Sequence, residues 1–88
     1  MNETCLSFDF INDPGHGWLK VPFHYIQDFK IGSCISNFSY VNGDYIYLEE
    51  DCDANVFLME LNERGIEYAI NDIYQENCLI RDFEYYRY

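Results

Sequence analysis

Two short stretches of this chain carry side chains that could do chemistry. The first is Asn12-Asp13-Pro14-Gly15-His16-Gly17, in which His16 lies between two glycines and close to Asp13 and Trp18. A histidine presented near a carboxylate on a Gly-rich turn is what an acid–base pair requires. The spacing supplies no nucleophile and no second base. The same residues also read as a turn whose glycines meet backbone needs and whose His16 caps it or packs on Trp18. His24 falls on a short helix and reads as structural. The turn is no phosphate loop, because the Lys and Ser/Thr that complete one are missing.

The second stretch is Glu49-Glu50-Asp51-Cys52-Asp53. It does not fit a calcium loop, since the central Gly and the later Glu are absent. Acids at a helix N-terminus complement the macrodipole by about 0.3–1 kcal/mol each. That accounts for Asp51 and Asp53, either of which can serve as N-cap. It accounts less well for Glu49 and Glu50, which lie in or just after a strand. These two point instead to a negative surface for a basic partner, with Glu60 and Glu63 extending it. The four cysteines, Cys5, Cys34, Cys52 and Cys78, are widely spaced without a C-x-x-C pair. A zinc site normally brings two ligands close in sequence, so no metal is expected. The even count also permits two disulfides. The N-terminal run MNETCLSFDF is acidic and lacks an apolar core, so no signal peptide is expected. The expectation is a cytosolic chain with reduced thiols.

Composition narrows the functional classes. The chain has 88 residues, 49% hydrophobic, with nine Tyr, seven Phe and a net charge of −11. That is one small globular domain, residues 1–88, and not a disordered acidic tail. The charge argues against direct binding to nucleic acid or an anionic membrane, favours a basic partner, and also serves solubility. No apolar run approaches the length of a membrane span.

These residues need elements to position them. Cys5 to Ile11 alternates, with Leu6, Phe8 and Phe10 on one side, and predicts a strand. Trp18 to Val21 leads into Pro22, which suits a first helical turn, and Phe23, Ile26 and Phe29 predict a short helix from Pro22 to about Phe29. Ile35–Val41 and Asp44–Leu48 predict a hairpin turning at Asn42-Gly43. That turn pairs Tyr40 with Tyr45 and puts Phe38, Tyr40, Tyr45 and Tyr47 on one face. Ser39, Val41, Ile46 and Leu48 take the other. Ala54, Phe57, Leu58 and Leu61 form a helical stripe that stops at Gly65, with Val56 and Met59 opposite it. Ile66 to Ile70 predicts a further strand, and Asp72 to Asn77 a loop. The tail from Leu79 to Tyr88 is too aromatic to be free. The order strand, helix, strand, strand, helix, strand predicts an α+β, ferredoxin-like sandwich: a four-stranded antiparallel sheet with two helices on one face. The alternative is a plain hairpin sheet with one main helix.

The stretches Phe8–Pro22 (FDFINDPGHGWLKVP) and Tyr47–Leu58 (YLEEDCDANVFL), with the Ser39-Tyr40 hairpin and the Ile80-Arg81 tail, resemble a family of short acidic proteins encoded by phages and plasmids. That family is largely of unknown function. The resemblance implies a mobile-element origin. Small acidic proteins of such elements often inhibit host defence, anti-CRISPR and antirestriction proteins among them, which is a likeness of context and not of motif.

The expected function is therefore a non-enzymatic, acidic protein-binding module in the host cytoplasm, without cofactor or metal. It would inhibit a basic, nucleic-acid-binding host protein by nucleic-acid mimicry or steric block. The candidate partner-binding residues are Glu49, Glu50, Asp51, Asp53, Glu60 and Glu63, with Tyr40 and Tyr45 on the hairpin. Aromatics on an open sheet stack bases in RNA-recognition domains, but five Lys and Arg against sixteen Asp and Glu leave too little positive charge for RNA. The same face suits a protein or a second copy of the chain. The rival is a small enzyme or ligand binder using the His16 turn. A further alternative is an accessory structural protein whose charge serves solubility. A concave pocket at His16, lined by Trp18 and a carboxylate, favours the enzyme; a continuous convex acidic face favours the inhibitor.

Overall fold

The computed structural model describes residues 5–88; the first four residues of the acidic N-terminal run lie outside the described residues. The strands are β1 (Cys5–Asn12), β2 (Gly17–Pro22), β3 (Tyr40–Asn42), β4 (Tyr45–Glu49), β5 (Glu67–Tyr74) and β6 (Glu84–Tyr85). The helices are α1 (His24–Asp28) and α2 (Asp53–Glu63). The strands form one mixed sheet of six in the order β5-β1-β2-β4-β3-β6. Among the described residues only the β1–β5 pair is parallel.

The small α+β domain has both helices packed against one sheet face. Ile26 of α1 and Ala54, Phe57 and Leu61 of α2 share one core with Phe8, Leu19, Val21, Ile46 and Leu48 from the strands. Phe57 has no exposed surface and meets Phe8 edge-on at 5.3 Å between ring centroids. Burying such a ring contributes roughly 2–3 kcal/mol. Met59, on the far side of α2, stays half exposed, while Val56 packs at the edge of the core.

The four-stranded antiparallel ferredoxin-like sheet is corrected in one decisive place. Trp18–Val21 is not a lead-in to a helix. It is β2, which returns along β1 and seats between β1 and β4, pairing Ile11 with Trp18 and Leu19 with Leu48. Its alternation, Trp18 and Lys20 against Leu19 and Val21, is period two on both faces. Pro22 ends the strand instead of starting the helix, and α1 shrinks to five residues. An extra strand reverses the direction of everything after it. The strand following α2 therefore runs parallel to β1 where the simpler topology has it antiparallel. β5 also extends into the expected Asp72–Asn77 loop as far as Tyr74, and the tail adds β6 at the opposite edge.

The hairpin forms with a different register. Tyr40 pairs with Tyr47 and Asn42 with Tyr45, so the turn residues are Gly43 and Asp44. Gly43 has φ +61° and Asp44 is not among the positive-φ residues, the pattern of a type II′ turn with Gly first. The slip is two residues, so each side chain keeps its face. Ile46 and Leu48 lie under the helices, and Tyr40, Tyr45 and Tyr47 face the other way. There the tail covers them in part: Ile80 joins Ile11, Trp18 and Tyr47 in a second cluster, with Phe83 against Tyr47.

Asp53 is the largest correction at the level of a single residue. It neither caps α2 with its side chain nor faces a partner, since the N-cap is Cys52 and Asp53 is fully buried. Its carboxylate accepts the Ser36 backbone amide at 3.1 Å and the Ser36 and Ser39 hydroxyls, each at 2.6 Å. A buried charge held by short, charge-assisted bonds is costly to disturb. Asp53→Ala is expected to lower unfolding free energy by about 2–4 kcal/mol, against less than about 0.5 kcal/mol for exposed Asp51→Asn. Denaturant titration checks the contrast, and equal effects of the two would contradict this role for Asp53.

Candidate functional site

The strands bring the two chemically interesting stretches together at one end of the sheet. Gly17, at the start of β2, accepts the Glu50 backbone amide through its carbonyl at 3.1 Å, and Trp18 pairs across the sheet with Glu49. The result is a cleft of about 380 Å³ lined by His16, Trp18, Phe38, Tyr40, Glu49, Asp51, Arg81 and Tyr85. Of the sequence-derived candidates, Tyr40, Glu49 and Asp51 line it. Glu50 is exposed beside the turn, its carboxylate near Gly17. Glu60 and Glu63 lie toward the far end of α2, roughly 10–15 Å along its axis from Asp53. Glu60 is paired with Arg64 at 2.8 Å. Tyr45 sits farther along the hairpin with the Lys20 ammonium 4.3 Å from its ring centre.

The turn is organised by Asp13. One carboxylate oxygen accepts the amides of Gly15 at 2.9 Å and His16 at 2.8 Å, and the Arg81 guanidinium at 3.1 Å. The His16 amide foremost, then the Gly15 amide and Arg81, hold this carboxyl below its usual range despite the opposing effect of desolvation. Neither glycine has a positive φ. They provide room instead. A Cβ on Gly17 would lie 2.5 Å from the Phe10 ring, and one on Gly15 would lie 3.3 Å from Arg81.

His16 is not poised as a base toward Asp13. Its Nδ1 lies 2.9 Å from an Arg81 nitrogen, and its ring stacks on Trp18 at 6.0 Å. Guanidinium only donates, so Nδ1 accepts and the neutral ring carries its proton on Nε2. Arg81 also lies over Trp18, 5.5 Å from the ring centre. Trp18 in turn meets Tyr40 edge-on at 6.3 Å, and Tyr40 stacks on Tyr85 at 4.9 Å. Burial, with Tyr85 adding to it, raises the Tyr40 phenol above its usual range, so it stays protonated and able to donate.

The acidic wall is set by Glu49, whose role is the reverse of the expected one. Its two carboxylate oxygens accept the amides of Asp51 at 2.9 Å and Cys52 at 3.2 Å, so Glu49, not Asp51 or Asp53, supplies the carboxylate at the entry to α2. Glu49 is partly buried; Asp51 is exposed. Arg81 and Tyr85 are site residues that sequence reasoning missed, and Arg81 is the more surprising. The signal of Arg81 was an isolated cation in an aromatic tail, which no local pattern connects to a turn some 65 residues earlier.

Two outcomes test this geometry. Long-range ¹H–¹⁵N correlation spectra at neutral pH should show His16 as the Nε2–H tautomer, and Arg81→Gln should release that preference. A depressed folded pKa makes Asp13 stabilising above its ordinary value of 3.8, with that contribution lost as pH falls through the lower folded value. The acid-side decline in melting temperature should therefore be shallower in Asp13→Asn than in the parent protein. An identical pH profile would remove the proposed bonding of Asp13.

No protein-family model matches the chain, and no curated protein or solved structure matches it either, which leaves the chemistry of the cleft as the guide to function.

Proposed function

We propose that the chain is a non-enzymatic binding module from a phage or other mobile element that captures basic side chains of a host protein in this cleft. The observation that carries the reading is the meeting of aromatic faces and carboxylates in one concavity. Phe38 is 69% and Tyr85 59% exposed beside Tyr40, Glu49 and Asp51. A guanidinium or ammonium group over such a ring gains about 0.5–2 kcal/mol. A net charge of −11 steers basic partners toward the domain.

Catalysis is less well supported. Nδ1 of His16 is committed to Arg81, and Asp13 is committed to three donors. Neither is aimed at the other as an acid–base pair. The stretches that carry the resemblance to mobile-element proteins supply much of the lining: His16 and Trp18, Glu49 and Asp51, Tyr40 and Arg81. A host nucleic-acid-binding protein, such as a defence nuclease in the cytoplasm, is the partner class that fits a basic surface. Steric block is favoured over imitation of phosphate spacing. Of the four clustered acids, Asp53 is buried and Glu49 is engaged with the backbone, which leaves Glu50 and Asp51.

The cleft has the concave lining of His16, Trp18 and carboxylates expected of the rival class, and it supports a second reading, a small-ligand site that uses the Nε2–H of His16 and the Arg81 guanidinium to bind an oxyanion or carbonyl compound. The two readings separate in a nuclear magnetic resonance titration with a short oligo-arginine peptide and, separately, with acetate. Peptide should shift the Trp18 indole, Tyr40 and Tyr85 signals. The double variant Glu50→Gln/Asp51→Asn should bind about tenfold more weakly at low salt, and the difference should shrink as the Debye length falls below roughly 8–10 Å. Unchanged peptide affinity in the variant would sink the capture of basic side chains. Acetate shifts at His16 and Arg81 without peptide binding would establish the second reading.

A further inference from the structure

On the helix side of the domain lies a second groove, of about 470 Å³, formed where the tail crosses the end of α1. Its floor is Phe23, Ile26 and Tyr86, and the exposed ring of Tyr88 forms one wall. The floor is rigidly made. The Tyr86 hydroxyl donates to the Gly32 carbonyl at 2.8 Å, the Tyr86 amide donates to the Ser39 carbonyl at 2.8 Å, and the Tyr86 ring meets Phe23 at 6.2 Å. Gly32 lets both tyrosines approach, since a Cβ there would lie 2.9 Å from the Tyr86 hydroxyl and 3.1 Å from the Tyr88 ring.

The rim carries an unusual charge for this chain. The sequence has five Lys and Arg. Arg64 pairs with Glu60, Arg81 with Asp13, and Lys20 lies over the Tyr45 ring. The remaining two, Lys30 and Arg87, form no ion pair among the described residues, and both line this one groove. Lys30 also occupies a position that local structure would give to glycine. It follows α1 with φ +57°, the one positive-φ residue other than glycine among the described residues. The Ile31 amide closes back on the Ile26 carbonyl at 3.2 Å, as in a left-handed helix stop. Lys30 therefore holds, at a conformational cost, a backbone position that glycine takes freely, and it lines the groove together with Phe23 and Ile26.

We propose that this groove binds a small amphipathic carboxylate: an acyl or aryl body on Phe23, Ile26 and Tyr86, with its carboxylate between Lys30 and Arg87. Arginine's fork and the lysine ammonium both suit a carboxylate. The site is separate from the acidic cleft and calls for the opposite ligand charge.

The test is isothermal titration calorimetry with backbone resonance mapping, using decanoate, decanol and acetate as probes. Decanoate should bind with shifts at Ile26, Lys30, Gly32 and Tyr86, while decanol and acetate bind at least about tenfold more weakly, since each lacks one half of the recognition. Lys30→Gly separates a ligand role from a structural one. It should raise the melting temperature by a few degrees, because glycine accepts this backbone without strain, and weaken decanoate at least about fivefold. Arg87→Gln should weaken decanoate similarly with the melting temperature unchanged. Decanol binding as well as decanoate, or both variants retaining parental affinity, would overturn the proposal. So would shifts of the same residues that follow protein concentration instead of ligand, which would make the groove a contact between copies of the chain.

Discussion

The buried carboxylate of Asp53 is the constraint on which most of this structure depends. It sits in the first turn of α2 with no exposed surface, and two serines of the segment before β3 are arranged to satisfy it. Ser36 donates from both its amide and its hydroxyl. Ser39 donates its hydroxyl, and the same oxygen accepts the Glu49 amide at 3.0 Å. The Ser39 carbonyl then holds the Tyr86 amide. One charge therefore fixes the start of α2, the irregular segment before β3, the end of β4 and the tail. In an apolar interior each of these bonds is stronger than in water, and an unmade one costs more.

That network sets both candidate sites without belonging to either. Holding the Glu49 backbone against Ser39 leaves its carboxylate to bind the Asp51 and Cys52 amides, which places the acidic wall of the cleft. Holding Tyr86 against Ser39 stretches the tail across the sheet edge. Tyr85 then turns toward Tyr40 in the cleft, and Tyr86 turns the other way to floor the second groove, as alternation along an extended segment dictates. The two sites are thus on opposite sides of one tail segment, β6 and the residue after it. They differ in sign: carboxylates and aromatic faces on one side, unpaired cations over an apolar floor on the other.

The cleft itself shows how a small sheet turns distant residues into neighbours. Asp13 gathers Gly15, His16 and Arg81 around one oxygen, and Trp18 serves as a plate with His16 and Arg81 against it. The arrangement is rigid. His16 Nδ1 and one Asp13 oxygen already have partners, which suits a preformed binding surface better than a proton-transfer site. Insertion of β2 between β1 and β4 is what makes it possible, because Trp18 then stands directly across from Glu49.

Much of this was legible in the sequence by itself. Alternation in Leu6, Phe8 and Phe10, the helical stripe of Ala54, Phe57 and Leu61, and the stop at Gly65 are local signals, and local backbone preferences together with burial decide them. The division of the hairpin into an aliphatic and an aromatic face was equally plain, because it follows from period two and survives a two-residue slip in register. The rest depended on partners far away in the chain. Trp18–Val21 carries weak evidence for a strand until β1 and β4 flank it. Asp53 reads as a surface acid beside a helix start until Ser36 and Ser39 close over it. Arg81 and Lys30 reveal nothing locally, because a cation's role is set by which carboxylate, ring or groove the fold brings within about 4 Å of it, and that is a property of the tertiary structure alone.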